Sequence, residues 1–214
     1  MPSSTFSWPA FHAAPVVAIL RGQSLATCLE ITKTLQKAGF ATLEVTMNTP
    51  DVANIIAELN RQFPDFNVGA GTVCTPKELD TALEAGASFI VTPILDEEVV
   101  TTCVKCGIPV FPGAYTPTEI FKAWQLGASA VKVFPAGGLG VKYIKDLSGP
   151  LPQIKLMPTG GVSLSNIRAF FEAGVVGVGM GSSLLDKSLI AAGDFARLEQ
   201  HLLTMRAQIE DFTS

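Results

Sequence analysis

The sequence predicts an α/β protein built as a single (β/α)8 barrel with a short N-terminal capping helix, and three observations carry that expectation. Five glycines, Gly39, Gly86, Gly107, Gly127 and Gly174, each close a helical pattern just before an apolar, β-rich segment. A glycine after a helix accepts the left-handed conformation that ends it, so each marks a helix-to-strand junction. On the opposite side of the strands, Thr49-Pro50, Thr75-Pro76 and Thr116-Pro117 read as helix starts, a capping hydroxyl before a proline at the first helical position. Glu78 and Glu119 follow two of these threonines at the spacing of a capping box. The units repeat roughly every 20 to 25 residues, the rhythm of short-looped βα units.

Taken in order, a short helix is expected around residues 4–12, then a strand at 15–20. Leu25, Cys28, Leu29 and Leu35 lie on one face of the first long helix. Further strands are expected at 41–46, 67–71, 88–92, 108–111, 129–134, 154–157 and 175–180, with a last helix over 192–211. Strands alternating with helices require a parallel sheet. An open doubly wound sheet would carry a glycine-rich fingerprint after its first strand, where this chain has Arg21-Gly22-Gln23-Ser24. Eight units in 214 residues instead fit a closed TIM barrel. No linker or composition break divides residues 1–214, so one domain is expected.

Composition excludes several functions. With 48% hydrophobic and 16% charged residues the chain is globular rather than disordered. No apolar run is long enough to span a membrane, and Met1 to Phe11 shows no secretory signal. A net charge of −4 without a basic tract argues against nucleic-acid binding, though not against a small anion. The four cysteines fit a reduced, cytoplasmic setting. Cys103 and Cys106 form a Cys-x-x-Cys, but no second pair or nearby histidine completes a metal site. Their place at a helix C-terminus lacks the dipole that activates redox thiols, so they are expected to pack. His12 and His201, one near each end, make a histidine-based metal site or a Ser-His-Asp triad equally unexpected.

Chemistry concentrates at the C-terminal ends of the strands, where barrels of this kind place their sites. In Val131-Lys132-Val133 the valines face outward, so Lys132 points inward with Ala130 and Phe134. A buried ammonium is costly unless paired or neutralised, and a desolvated lysine is the usual amine for Schiff-base chemistry. Leu43 and Val45 turn Glu44 inward in the same way. The pair is read either as a structural ion pair or as a nucleophile beside a general acid/base, and two inward charges favour chemistry. Arg21 ends the first strand, Thr72 follows the third, and Thr92-Pro93 ends the fourth. Gly160-Gly161 follows the seventh strand and Gly181-Ser182 the eighth, where barrels cradle phosphate on backbone N–H groups. Paired glycines also serve tight turns. Lys155, the rival amine, sits early in the seventh strand, toward the other end.

From about Pro15 to Ala192 the chain resembles the 2-keto-3-deoxy-6-phosphogluconate / 4-hydroxy-2-oxoglutarate aldolase family. The resemblance is carried by Leu43-Glu44-Val45-Thr46, Gly69-Ala70-Gly71-Thr72-Val73, Val131-Lys132-Val133-Phe134-Pro135-Ala136 and Pro158-Thr159-Gly160-Gly161-Val162. It implies a homotrimeric class I aldolase with neither metal nor cofactor, acting on small 2-keto acids. Lys132 would form the Schiff base and Glu44 would shuttle protons. Thr72, Pro93, Phe134 and Thr159 would line a pyruvate pocket, and Gly160, Gly161, Gly181 and Ser182 would hold a phosphate. One position departs. The best-known gluconate-type members carry an arginine for the substrate carboxylate where this chain has Asn48, whereas Val17-Ala18-Ile19-Leu20-Arg21-Gly22 is similar to other members, gluconate-type ones among them, with an arginine ending the first strand. That group includes galactonate-type enzymes, so both sugar configurations stay open. The other classes compatible with the residues are a phosphate-binding barrel isomerase, which gives Lys132 no task, and a silent binding barrel, which would not need both charges.

Overall fold

The computed structural model describes residues 5–213. Helix α1 (Trp8–Ala13) leads into β1 (Val16–Leu20), α2 (Leu25–Lys37) and β2 (Thr42–Thr46). Then come α3 (Val52–Gln62), β3 (Asn67–Gly71), α4 (Pro76–Glu84), β4 (Ile90–Val91) and α5 (Glu97–Lys105). The next stretch holds β5 (Val110–Phe111), β6 (Gly113–Ala114), α6 (Pro117–Gln125), β7 (Val131–Val133) and α7 (Gly140–Ser148). It ends with β8 (Leu156–Pro158), α8 (Ile167–Glu172), β9 (Val178–Met180), α9 (Lys187–Ala191) and α10 (Phe195–Ala207). Strands β5-β4-β3-β2-β1-β9 form one parallel sheet and β6-β7-β8 another.

Only Pro112, which has no N–H, separates β5 from β6. At the other seam Thr159 bridges Gly179, and the Val176 N–H donates to the Leu156 carbonyl at 3.1 Å. The result is an α/β fold with a curled parallel sheet. Apart from β3, which spans the expected 67–71, its strands are shorter than the apolar segments that announced them. Beyond the regular ladder the Ser129 and Phe134 N–H groups each donate one backbone bond, to the Val110 and Ala114 carbonyls.

All five expected helix-ending glycines have positive φ, from 69° to 96°. The capping expectations fare unevenly. Thr116 and Glu119 form a full capping box, whereas Glu78 reaches past Thr75 to the Cys74 N–H at 2.7 Å. Thr49 does not cap α3, which starts after Asp51 without a side-chain cap. Its hydroxyl is buried instead, accepting from the Gly22 N–H at 2.9 Å and bonding Thr46 at 3.1 Å. The expected helix at 4–12 is observed as Trp8–Ala13, and residue 4 lies outside the described residues. The expected last helix over 192–211 is observed as α10 followed by a 3₁₀ turn at Glu210–Phe212, while α9 is a separate short helix that was not expected.

The core has two parts. Leu43, Val45, Val131 and Val133 belong to the large cluster between strands and helices. A second cluster joins Phe6 and Phe11 to Val17, Phe89, Val91, Phe111, Ala130 and Met157. Phe6 meets Phe89 edge-on at 5.4 Å, and Phe89 lies 5.7 Å from Phe111. Gly69 and Gly177 leave room for the Phe89 and Phe11 rings. Asn67 fastens this floor to the incoming chain, accepting from the Ser7 N–H at 2.7 Å and donating to its carbonyl at 3.0 Å. At about 1.5–3 kcal/mol per buried aromatic, this cluster is a substantial part of the stability. It also fills the interior on the face that Ala130 shares with Lys132.

Candidate active site

Lys132 and Glu44 lie inside, 4% and 2% exposed, while their strand neighbours Val131, Val133, Leu43 and Val45 are fully buried on the outer side. The register pairs Glu44 with Ile19 and Gly69, and Lys132 with Gly113 and Met157. Among the described residues no salt bridge or hydrogen bond joins the two charged side chains. Lys132 Nζ instead sits over the Phe134 ring, 4.8 Å from its centre. Burial lowers the Lys132 pKa; the Glu44 charge opposes that shift and Arg21 adds to it. Burial raises the Glu44 pKa, against the pull of Lys132 and Arg21. Each shift favours a neutral form, which for Lys132 is the nucleophilic amine.

Phe134, whose ring Lys132 Nζ overlies, borders a cavity of about 290 Å³, although neither Lys132 nor Glu44 is in its wall. Arg21, Phe134, Thr159, Gly160, Gly161, Gly181 and Ser182 all line it. Thr72 and Pro93 are not in its wall. Thr72 follows β3 with a left-handed φ of 58°, and the Pro93 backbone abuts Gly113. Arg21 and Asn48 are both exposed, but only Arg21 is in the wall, so it is the better placed of the two carboxylate candidates. Lys155 is exposed and precedes β8.

The glycines differ in their reasons for being glycine. Gly160 and Gly161 have φ of 78° and 86°, and a side chain on Gly161 would overlap the Gly137 backbone. Gly181 has open space, its nearest neighbour being Ile19 at 4.0 Å. Among the described residues, the amides of Gly160, Gly161 and Ser182 donate to no protein acceptor. Three free N–H groups at one wall are what an anion requires. Gly179 leaves room for the Thr159 side chain.

Sequence reasoning missed four contributors. Gln23 and Lys187 also line the cavity. Thr49 ties the turn after Arg21 to β2. Gly71 lies where any side chain would overlap the Glu44 carboxylate. Only the last had a sequence signal, since Gly71 falls within the Gly69-Ala70-Gly71-Thr72-Val73 motif. Of the Cys-x-x-Cys residues only Cys103 packs as expected, buried with its thiol pushed up to about 12 by burial, whereas Cys106, at the C-cap of α5, is exposed. Among the described residues no group of three or more His, Cys, Asp or Glu is placed to hold a metal ion. No described helix is long and apolar enough to cross a membrane.

The curled parallel α/β sheet with a lysine buried on its inner face is the architecture of an aldolase-type α/β enzyme. Residues 9–201 match the family model described as KDPG and KHG aldolase, and the chain belongs to that family. It is 37% identical over 182 residues to the 2-dehydro-3-deoxy-phosphogluconate aldolase of Haemophilus influenzae, covering 85% of this chain and 84% of that one. It is equally 37% identical, over 172 residues, to the 2-dehydro-3-deoxy-6-phosphogalactonate aldolase of Escherichia coli, covering 79% and 84%. The fold is similar, with a TM-score of 0.83 and 29% identity, to the KDPG aldolase of Legionella pneumophila with pyruvate captured as a covalent carbinolamine; the match covers 97% of this chain and 99% of that one.

Proposed function

We propose that the protein is a class I aldolase that cleaves a 2-keto-3-deoxy-6-phospho sugar acid to pyruvate and glyceraldehyde 3-phosphate, and also cleaves 4-hydroxy-2-oxoglutarate to pyruvate and glyoxylate. One observation carries the reading: Lys132 and Glu44 are both buried, face the same interior, and are not spent on each other. A structural ion pair would close that gap, because a lone buried charge is costly.

Arg21 holds the substrate carboxylate, while Phe134 and Thr159 bound the keto-acid end; Thr72 and Pro93 complete it from the β3 and β4 side. The neutral Lys132 amine attacks the C2 ketone, forming a carbinolamine, and loss of water leaves a protonated imine. Glu44 takes the C4 hydroxyl proton, directly or through a water. The C3–C4 bond then breaks, its electron pair flowing into the imine to give an enamine, and the aldehyde departs. Protonation of the enamine at C3 restores the imine. Water hydrolyses it, releasing pyruvate and the free amine. Gly160, Gly161, Gly181 and Ser182 hold the phosphate of the longer substrate. Both sugar configurations fit this scheme, and the galactonate type is the alternative supported by the equal likeness to that enzyme.

The finer architecture belongs to the same reading: one domain, its strands closed into a full (β/α)8 barrel through the Thr159–Gly179 bridge, with α1 as its floor, assembled as a homotrimer in the cytoplasm. The exposed Ile94, Tyr115 and Phe121 supply apolar surface for such an assembly. The test of function is to incubate the protein with pyruvate and borohydride and measure intact mass. One reduced adduct per chain should form on Lys132 and vanish in Lys132→Met. An adduct on Lys155, or none, overturns the reading.

A further inference from the structure

The cavity wall carries two charged side chains, Arg21 and Lys187, and both are cations. Arg21 follows β1, and Lys187 opens α9 beyond β9, the strand paired with β1. The two cations therefore rise from neighbouring loops. Like charges on one wall repel, and in a protein of net charge −4 a counter-charge would be easy to supply. None is supplied: among the described residues neither side chain takes part in a salt bridge, and no Asp or Glu lines the cavity. Asp186, next to Lys187 in sequence, turns its Oδ1 to the Ser188 and Leu189 amides at 2.8 and 3.2 Å and makes no salt bridge with Lys187.

The backbone that presents Lys187 is held firmly. The Leu184 and Leu185 N–H groups donate to the Gly181 carbonyl at 3.0 and 2.8 Å. His201 Nε2 contacts the Ser183 carbonyl at 2.9 Å from α10. The loop with the free Ser182 amide and the helix with Lys187 are thus one braced unit. Three neutral amides stabilise an anion through partial charges, whereas a phosphate dianion gains more from a full opposite charge.

We propose that Lys187 is the specificity-determining residue for the distal phosphate, the side chain that makes this enzyme prefer a phosphorylated substrate over a shorter one. This rests on the aldolase reading above. Arg21 then serves the carboxylate at one end of the substrate and Lys187 the phosphate at the other. Lys187 touches no reacting atom, so its effect falls on binding.

The experiment compares wild type, Lys187→Met and Lys187→Arg on a 6-phosphorylated 2-keto-3-deoxy acid and on 4-hydroxy-2-oxoglutarate. In Lys187→Met the ratio of kcat/KM between the two substrates should fall at least tenfold, through KM of the phosphorylated one. Lys187→Arg should keep the ratio within threefold. Added salt should erode the wild-type ratio more than that of Lys187→Met. A ratio unchanged in Lys187→Met overturns the proposal. The borohydride adduct with pyruvate separates the two levels. If it forms in wild type and Lys187→Met while the ratio stays put, the aldolase stands and this assignment falls. If wild type forms no adduct, both fall.

Discussion

The Glu44 carboxylate occupies the space that a side chain on Gly71 would need. Thr46, two residues beyond Glu44 on β2, is the register partner of Gly71, so the glutamate leans along its strand into a gap that β3 leaves open. The backbone at Gly71 is ordinary strand, outside the positive-φ set, and would itself accept alanine. Gly71→Ala therefore tests the placement of Glu44 alone. The added methyl should displace the carboxylate and lower kcat at least tenfold. Overpacking should cost about 1–3 kcal/mol of stability, read as a fall in Tm, with the pyruvate adduct on Lys132 still forming. An unchanged kcat would mean that Glu44 need not sit where it does.

Opposite pH shifts are expected from the two charges that flank Lys132. Adduct formation needs the neutral amine, so its rate should fall on the acid side as Lys132 protonates. Glu44 raises the Lys132 pKa and Arg21 lowers it. Glu44→Gln removes the first effect, so the acid limb should move to lower pH. Arg21→Ala removes the second, so the limb should move to higher pH. Glu44→Gln should in addition cut kcat for cleavage by about 10²–10⁴, the usual worth of a general base. The check is the rate of borohydride-trapped adduct against pH. Shifts of the same sign in both variants would break the electrostatic account.

Gly181 is the place to test the phosphate wall. At Gly161 any substitution is strained by its positive φ and by Gly137, so it would report on folding. Gly181→Asp meets open space and adds a like charge to an arriving phosphate. Cleavage of the 6-phosphorylated substrate should lose at least tenfold in kcat/KM, about 1.4 kcal/mol. The loss for 4-hydroxy-2-oxoglutarate should be smaller, since its glyoxylate half is too short to reach the wall. Equal losses in a folded variant would remove phosphate from this loop.

What the sequence determined by itself was whatever depends on neighbours a few residues apart. Alternation placed Lys132 and Glu44 inside, because Val131, Val133, Leu43 and Val45 claim the outer face. Five glycines announced five helix ends, because a left-handed residue costs least where no Cβ exists. Arg21 and the Gly160-Gly161 and Gly181-Ser182 pairs were legible because strand order assigns loops to one end. Strand limits were not, since a buried apolar residue need not be in the ladder, and Pro112 interrupts one. Thr49 looked like a cap and proved to be a brace, because the pairing of β1 with β2 brings Gly22 to its hydroxyl, which also meets Thr46 three residues back in the same turn. Only the tertiary structure decided that Lys132 and Glu44 stay unpaired, that Gly71 makes room for the carboxylate, and that Lys187 shares a wall with Arg21 while Asn48 does not. Those are distances between residues far apart in the chain, set by how the sheet curls, and no local pattern encodes them.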